Sequence, residues 1–258
     1  MSRFTNLEFG NHSEDPEHQL KPLAKDEDYY CAEARSAFEN GEFESALRLY
    51  SKILEFNPAN ASAWAGQVRM LIELAEFREA KLWADKALER FPQEPELLAA
   101  KAVALARTGD LQGALFFSDA SIEERGDTPY VWLARGDVLL ARREARADYC
   151  FDKALLLAPH DWFIGWLAGR VRYYYKQFAL ALKLIQQAVE LNAGHFLLWL
   201  ELGRCQQALG LLGPARNSYL QAQQLNRQSR AATIALSELS GSGLAARLVG
   251  FWRRFRRK

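Results

Sequence analysis

Small residues return along this chain at a fixed interval, and that recurrence limits the possible folds more than any other feature. Ala46, Ala80, Ala114, Ala147, Ala181 and Ala215 are spaced 34, 34, 33, 34 and 34 residues apart. A second series (Ile53, Ala87, Ser121, Ala154, Ala188, Ala222) keeps the same spacing, and a third (Ala34, Val68, Ala102, Gly136, Gly169, Gly203) keeps the period, with its 33-residue step one interval later. Small side chains at a fixed phase mark close approaches between helices, where a larger group would not fit. A constant period means one structural unit copied six times, each copy packing on its neighbours in sequence. A chain of that kind is a solenoid, and its working part is the surface it presents.

Helical periodicity runs almost unbroken from about residue 27 to 239, as pairs of helices roughly 13 residues long. Gly41, Gly109 and Gly210 fall between the two helices of a pair, where glycine adopts a left-handed turn at least cost. Asn57-Pro58, Phe91-Pro92, Gly126 and Ala158-Pro159 end the second helix. The fourth copy is one residue short. Its deletion is expected in the turn, where Arg142-Arg143-Glu144 stands without a glycine and implies a tightened loop. Outside the repeats, residues 1–26 are acidic and interrupted by Pro16 and Pro22, and are expected to be a disordered leader. Residues 228–239 are expected to form a capping helix, 240–243 (Ser-Gly-Ser-Gly) a flexible linker, and 244–258 a basic tail.

The net charge of +1 conceals a division. Residues 1–30 hold seven acids and three bases; residues 247–258 hold five Arg, one Lys and no acid. The repeat body between them is nearly neutral, which disfavours a nucleic-acid backbone as partner. Cys31, Cys150 and Cys205 are scattered, without metal-ligand or redox spacing, and suit a reducing compartment. The first residues lack the apolar core of a secretory signal, and no window is long and apolar enough to span a bilayer. A cytoplasmic location is therefore expected. His12, His18, His160 and His195 form no pair on a helical face, and no phosphate loop, dinucleotide motif or zinc-protease motif occurs. No enzyme activity, metal or cofactor is expected.

The residues at fixed phase resemble those of tetratricopeptide-repeat (TPR) proteins, whose unit has a large residue at position 4 and small ones at 8, 20 and 27. Trp64, Val68, Ala80, Ala84, Ala87 and Pro92 fit in the second copy, and Trp199, Gly203, Ala215, Tyr219 and Ala222 in the sixth. The first copy offers Tyr30, Ala34, Ala46, Tyr50, Ile53 and Pro58; the third, Leu98, Ala102, Ala114, Ser118 and Ser121. The fourth has Trp132, Gly136, Ala147, Phe151, Ala154 and Pro159, while the fifth departs at Gly165, flanked by Trp162 and Trp166. The resemblance spans residues 27–227. It implies an all-α, right-handed superhelical solenoid of helix hairpins that binds protein segments in a concave groove.

Transferring the family's groove positions gives Arg35, Arg69, Arg170 and Arg204 at one phase, interleaved with Phe38, Ile72, Tyr130, Leu133, Phe163, Trp166, Tyr173 and Leu200. Arginine forks suit carboxylates and rings supply apolar contact, so the implied partner is a peptide or protein segment with acidic and apolar residues. The alternative is that these arginines pair with acids on neighbouring helices. Cys31, Arg35 and Arg69 replace the Lys and Asn residues of the family's chaperone-tail clamp, so that clamp is not expected. The tail is a second candidate. On a helix Leu244, Leu248, Phe251, Trp252 and Phe255 share an arc of about 100°, with Arg247, Arg253, Arg254, Arg256 and Arg257 around it. Such a segment suits an anionic membrane surface or an acidic protein partner. The expected function is a non-enzymatic adaptor or scaffold. The alternatives are a peripheral membrane or self-associating protein with an idle groove, and, more weakly, a helical-repeat RNA binder.

Overall fold

A computed structural model describes residues 26–124 and 126–239; the expected leader up to residue 25, the linker 240–243 and the tail 244–258 lie outside the described residues. The described residues are helical throughout, without strands, and fall into two compact units, one ending at Leu157 and the other beginning at Ala158. Unit one holds four helix pairs. They are α1 (Glu27–Glu39) with α2 (Phe43–Phe56), α3 (Ala61–Glu73) with α4 (Phe77–Arg90), α5 (Pro95–Thr108) with α6 (Leu111–Glu123), and α7 (Pro129–Ala141) with α8 (Ala147–Leu157). Unit two holds α9 (Trp162–Tyr174) with α10 (Phe178–Leu191), α11 (Phe196–Ala208) with α12 (Leu212–Leu225), and a further helix, α13, over residues 230–239.

Local chemistry sets the boundaries of these helices. The side chains of Asp26, Asn60, Thr128 and Asp161 accept from the backbone N–H of Tyr29, Ala63, Val131 and Phe163, satisfying donors that a helix start leaves orphaned. Pro95 and Pro129 open α5 and α7, where the missing N–H costs nothing. At the turn within each pair one residue has positive φ: Gly41 (73°), Ala75 (61°), Gly109 (93°), Arg143 (61°), Lys176 (60°) and Gly210 (77°). In the third pair Gly109 N donates to Ala106 O (3.2 Å) and Asp110 N to Leu105 O (3.0 Å), and the other five turns repeat this pattern. All six are therefore Schellman turns, of which only three carry the glycine that marks them in the sequence.

The shortened fourth pair keeps that turn geometry at Arg143. The missing residue is taken instead from α8, which has 11 residues where the other second helices have 13 or 14. Ala147 N and Asp148 N reach back three residues, to Glu144 O (3.2 Å) and Ala145 O (3.3 Å), whereas Ala46 N in the first pair reaches four, to Glu42 O (2.9 Å). The period is restored by the time the chain reaches Ala147, so its small-residue contact survives the deletion.

All three series of small residues are buried. Their sizes are matched across the pair. A Cβ on Gly136 would lie 2.8 Å from the Phe151 ring, and one on Gly169 2.5 Å from Ile185 Cδ1; one on Gly203 would strike the Tyr219 ring. Where the first helix offers Val68 or Ala102 instead, the residue at the partner position shrinks to Ala84 or Ser118. In unit one the first helices pack directly on each other, α3 on α5 and α5 on α7, and the second helices lie outside them. Helices α3, α5 and α7 thus form one continuous layer of that unit.

Candidate functional site

In unit one the groove positions are occupied by groups that already have partners. Arg35 lies at the surface with its Nε 2.7 Å from Glu39 Oε1, one turn along the same helix. Arg69 is largely enclosed, its guanidinium 3.8 Å from the centre of the Tyr130 ring and 5.2 Å from that of Phe38. Glu96, on the next first helix, lies 3.8 Å from Arg69 Nη1. Burial pushes the Tyr130 phenol upward, and the Arg69 charge partly offsets this. Ile72 and Tyr130 rest on the buried cluster Ala99, Val103, Val131 and Ala134. Phe38 and Leu133 are buried. Beside them Asp137, which shares the phase of the groove arginines, receives two bonds from Arg107, Nε to Oδ1 at 3.1 Å and Nη2 to Oδ2 at 2.6 Å, with both side chains buried.

Unit two is more open. Glu201 on α11 is buried, and its Oε1 accepts from Arg170 Nη1 on α9 at 3.2 Å and from Arg204 Nη1 at 2.8 Å. Two guanidinium groups thus share one carboxylate. The Arg204 side chain is 40% exposed. The three residues border a cavity of about 1040 Å³ whose other walls include Tyr173, Tyr174, Lys176, Phe178, Gln207, Tyr219, Ile234 and Glu238. Tyr219 OH donates to Gln207 Oε1 at 2.7 Å, which fixes the amide, and the Tyr173 and Phe178 rings meet at 5.1 Å between centroids. Burial raises the Tyr173 and Tyr219 phenols above their ordinary range, so both remain neutral donors at physiological pH.

The structure therefore brings Arg170, Tyr173 and Arg204 to one cavity. Phe163 and Trp166 stack at 5.2 Å, but Trp166 has none of its surface exposed and supports the wall from behind, with the Arg170 guanidinium 4.9 Å from its ring centre. Leu200 is likewise buried. Sequence reasoning missed Glu201, Lys176, Tyr219 and the α13 face. Glu201 had a signal: the matching residues of the other copies are Ala32, Gly66, Ala100, Ala134 and Leu167, so it is the one acid at an otherwise apolar phase. The tail residues Leu244, Arg247, Leu248, Phe251, Trp252, Arg253, Arg254, Phe255, Arg256 and Arg257 lie outside the described residues. Among the described residues no group of three or more His, Cys, Asp or Glu could hold a metal ion, and no helix is long and apolar enough to cross a membrane.

Comparison with known proteins adds independent support for the fold. Residues 37–103 match the family model described as tetratricopeptide repeat. A comparison with curated protein sequences finds no match. Among solved structures, the chain is similar to one in the crystal structure of the APC/C hetero-tetramer Cut9–Hcn1, with 15% identity and a TM-score of 0.51 over 83% of this chain and 42% of that one. It is also similar to a monomeric mutant of IFIT1 with m7Gppp-AAAA, with 15% identity and a TM-score of 0.51 over 83% of this chain and 56% of that one. The chain thus spans less than two thirds of either, and these likenesses concern the fold alone. With six helix pairs of one period, one turn geometry repeated six times and the family model matched over residues 37–103, this chain has a tetratricopeptide-repeat fold.

Proposed function

We propose that the protein is a non-enzymatic adaptor whose unit-two cavity captures a peptide segment carrying a carboxylate next to an apolar or aromatic residue. The single observation behind this reading is the placement of Arg204, with a side chain 40% exposed, on a cavity that it shares with Arg170 and the aromatic rings of Tyr173, Tyr174 and Phe178. A ligand carboxylate would meet the exposed part of Arg204, and an arginine fork binds such a group with directional, charge-assisted bonds. Tyr173, Tyr174, Phe178 and Ile234 offer apolar area to the flanking side chain. Glu201 fixes both guanidinium groups before any ligand arrives, which lowers the ordering cost of binding.

An array of 12-residue peptides that vary in acidic and aromatic content tests this directly. Acidic–aromatic peptides are expected to bind, and Arg204→Glu to weaken them by tenfold or more, about 1.4 kcal/mol. Arg48→Glu, at an exposed position on α2, serves as the control and leaves the bound set intact. An unchanged peptide set with Arg204→Glu would reject the cavity as the site. Residues 244–258 complete the reading by attaching the adaptor to an anionic surface on the cytosolic side, a compartment that suits its three free thiols. Co-sedimentation with phosphatidylserine vesicles, with and without Phe251→Ser/Trp252→Ser, checks that part; equal sedimentation of both forms would remove it.

A further inference from the structure

Helix α13 repeats the phase of the first helices, yet no second helix of its own follows it among the described residues. Ser237 stands 34 residues after Gly203, and Thr233 34 after Trp199. In all six pairs the residue at the Ser237 phase is buried, and Gly136, Gly169 and Gly203 there lie against Phe151, Ile185 and Tyr219 of their own second helices. Ser237 is exposed. So is Thr233 one turn before it, at the phase of the buried Tyr30, Trp64 and Leu98. Both hydroxyls donate within the helix, Ser237 Oγ to Ile234 O at 2.7 Å and Thr233 Oγ1 to Ser229 O at 3.1 Å. An apolar group can therefore cover this face without orphaning a donor.

The chain supplies such a group directly after α13. Two to five residues separate the helices of the six pairs, and four, Ser240 to Gly243, separate α13 from segment 244–258. The shortened fourth pair gives the register. From Gly136, the buried residues of its second helix (Ala147, Cys150, Phe151 and Ala154) lie 11, 14, 15 and 18 positions on. The same steps from Ser237 reach Leu248, Phe251, Trp252 and Phe255, four of the five residues in the segment's apolar stripe. Trp252 with Ser237 then repeats the match of a ring to a small residue made by Phe151 with Gly136 and Tyr219 with Gly203. Arg247, Arg253 and Arg257 fall at the phases of Arg146, Asp152 and Leu156, all exposed. Arg254, Arg256 and Lys258 take the half-buried phases of Lys153, Leu155 and Leu157, where a long stem can lie along the helix with its charge in water. A shift of one residue in either direction would put two arginines at buried phases and desolvate both.

Charge opposes the contact. From α12 to the end of α13 the described residues hold Arg216, Arg227 and Arg230 against one acid, Glu238, and all four are exposed. The cavity that Glu238 borders adds Arg170, Lys176 and Arg204 against Glu201. Apolar burial must therefore hold the segment in place. We infer that segment 244–258 docks on the Thr233/Ser237 face of α13 as the second helix of a seventh hairpin, with residues 240–243 as its turn. The contact lies within unit two. A bilayer would take up the same stripe, so on the membrane reading above a docked segment is withheld from lipid; the docking itself does not depend on that reading.

Hydrogen exchange of the full chain without lipid, read by mass spectrometry, tests this. Amides of residues 246–257 are expected to exchange more slowly than in a synthetic peptide of residues 243–258, by about tenfold or more. Raising salt from about 0.05 to about 0.5 M screens the repulsion and should preserve or deepen that protection. Ser237→Gln, too long for the space beneath a ring, and Trp252→Ser are each expected to return these amides to the peptide rate, while Lys183→Gln on α10 changes nothing. Parent-like exchange in α9–α12 establishes that Ser237→Gln is folded, and Trp252→Ser alters none of the described residues. Peptide-rate exchange in the parent chain overturns the inference. So does protection that survives both variants, that salt abolishes, or that vanishes on dilution, the last marking a second copy as the occupant.

Discussion

Gly169 shows how tightly a single atom is constrained in these repeats. Alanine is the better helix former by about 1 kcal/mol, yet a Cβ here would lie 2.5 Å from Ile185 Cδ1 on a side chain that is itself buried. Overpacking of this kind costs about 1–3 kcal/mol, so Gly169→Ala should lower stability despite its helical advantage. The second copy supplies the remedy, because Val68 there faces Ala84. Gly169→Ala/Ile185→Ala is accordingly expected to cost less than the sum of its single substitutions, by about 1 kcal/mol in a double-mutant cycle of urea melts. Additive costs would mean that the two positions do not share one volume. The turns make a complementary case. Gly109 has φ of 93° and open space around its missing Cβ, so Gly109→Ala should lose only the conformational term, about 1 kcal/mol. Lys176, at φ of 60°, should gain a similar amount as Lys176→Gly, read as a higher melting temperature.

Between elements, the buried contact of α5 with α7 carries the greatest risk. Arg107 donates two hydrogen bonds to Asp137 with almost no solvent contact, so losing either side chain leaves a buried charge short of two bonds. Removing one partner strands the other, and Asp137→Ala should cost about 3–5 kcal/mol. Replacing both, as Arg107→Met/Asp137→Leu, should come within about 1 kcal/mol of the parent by chemical denaturation, because the desolvation of two charges disappears together. Legibility in the sequence also divides at this level. Helix pairing was readable because every copy must solve the same close approach, which leaves Ala, Gly or Ser at fixed phases. Three of the six turns were readable through Gly41, Gly109 and Gly210; Ala75, Arg143 and Lys176 hold the same backbone without a residue type that announces it. The site was half readable. Phase placed Arg170 and Arg204 at equivalent positions of successive first helices, and Glu201 stands out as an acid at an apolar phase, but its bonds to both arginines depend on the packing of α9 with α11.

At the scale of the whole molecule, the enclosed phenols and thiols of both units favour the same, protonated state. Tyr50 and Tyr130 in unit one, and Tyr173 and Tyr219 in unit two, are all pushed upward from an ordinary value near 10, chiefly by burial. Cys150 and Cys205 are raised from near 9, Cys205 to about 12. For every one of these groups the folded state keeps a proton that the unfolded chain would release. Stability from them is therefore complete below the unfolded values and lost as pH rises through the folded ones. On the acid side, Glu94 is raised by desolvation and Glu144 lowered by its bonds to Arg146 and Arg142, so the two shifts oppose each other. The expected profile is lopsided, with a melting temperature nearly level from pH 6 to 8 that falls steadily as pH rises above about 9. Circular-dichroism melts across that range measure it. Tyr219→Phe should flatten the alkaline limb, because it removes a phenol that ionises far more readily in the unfolded chain. A limb of unchanged slope in that variant would show that the Tyr219 phenol does not contribute to alkaline unfolding.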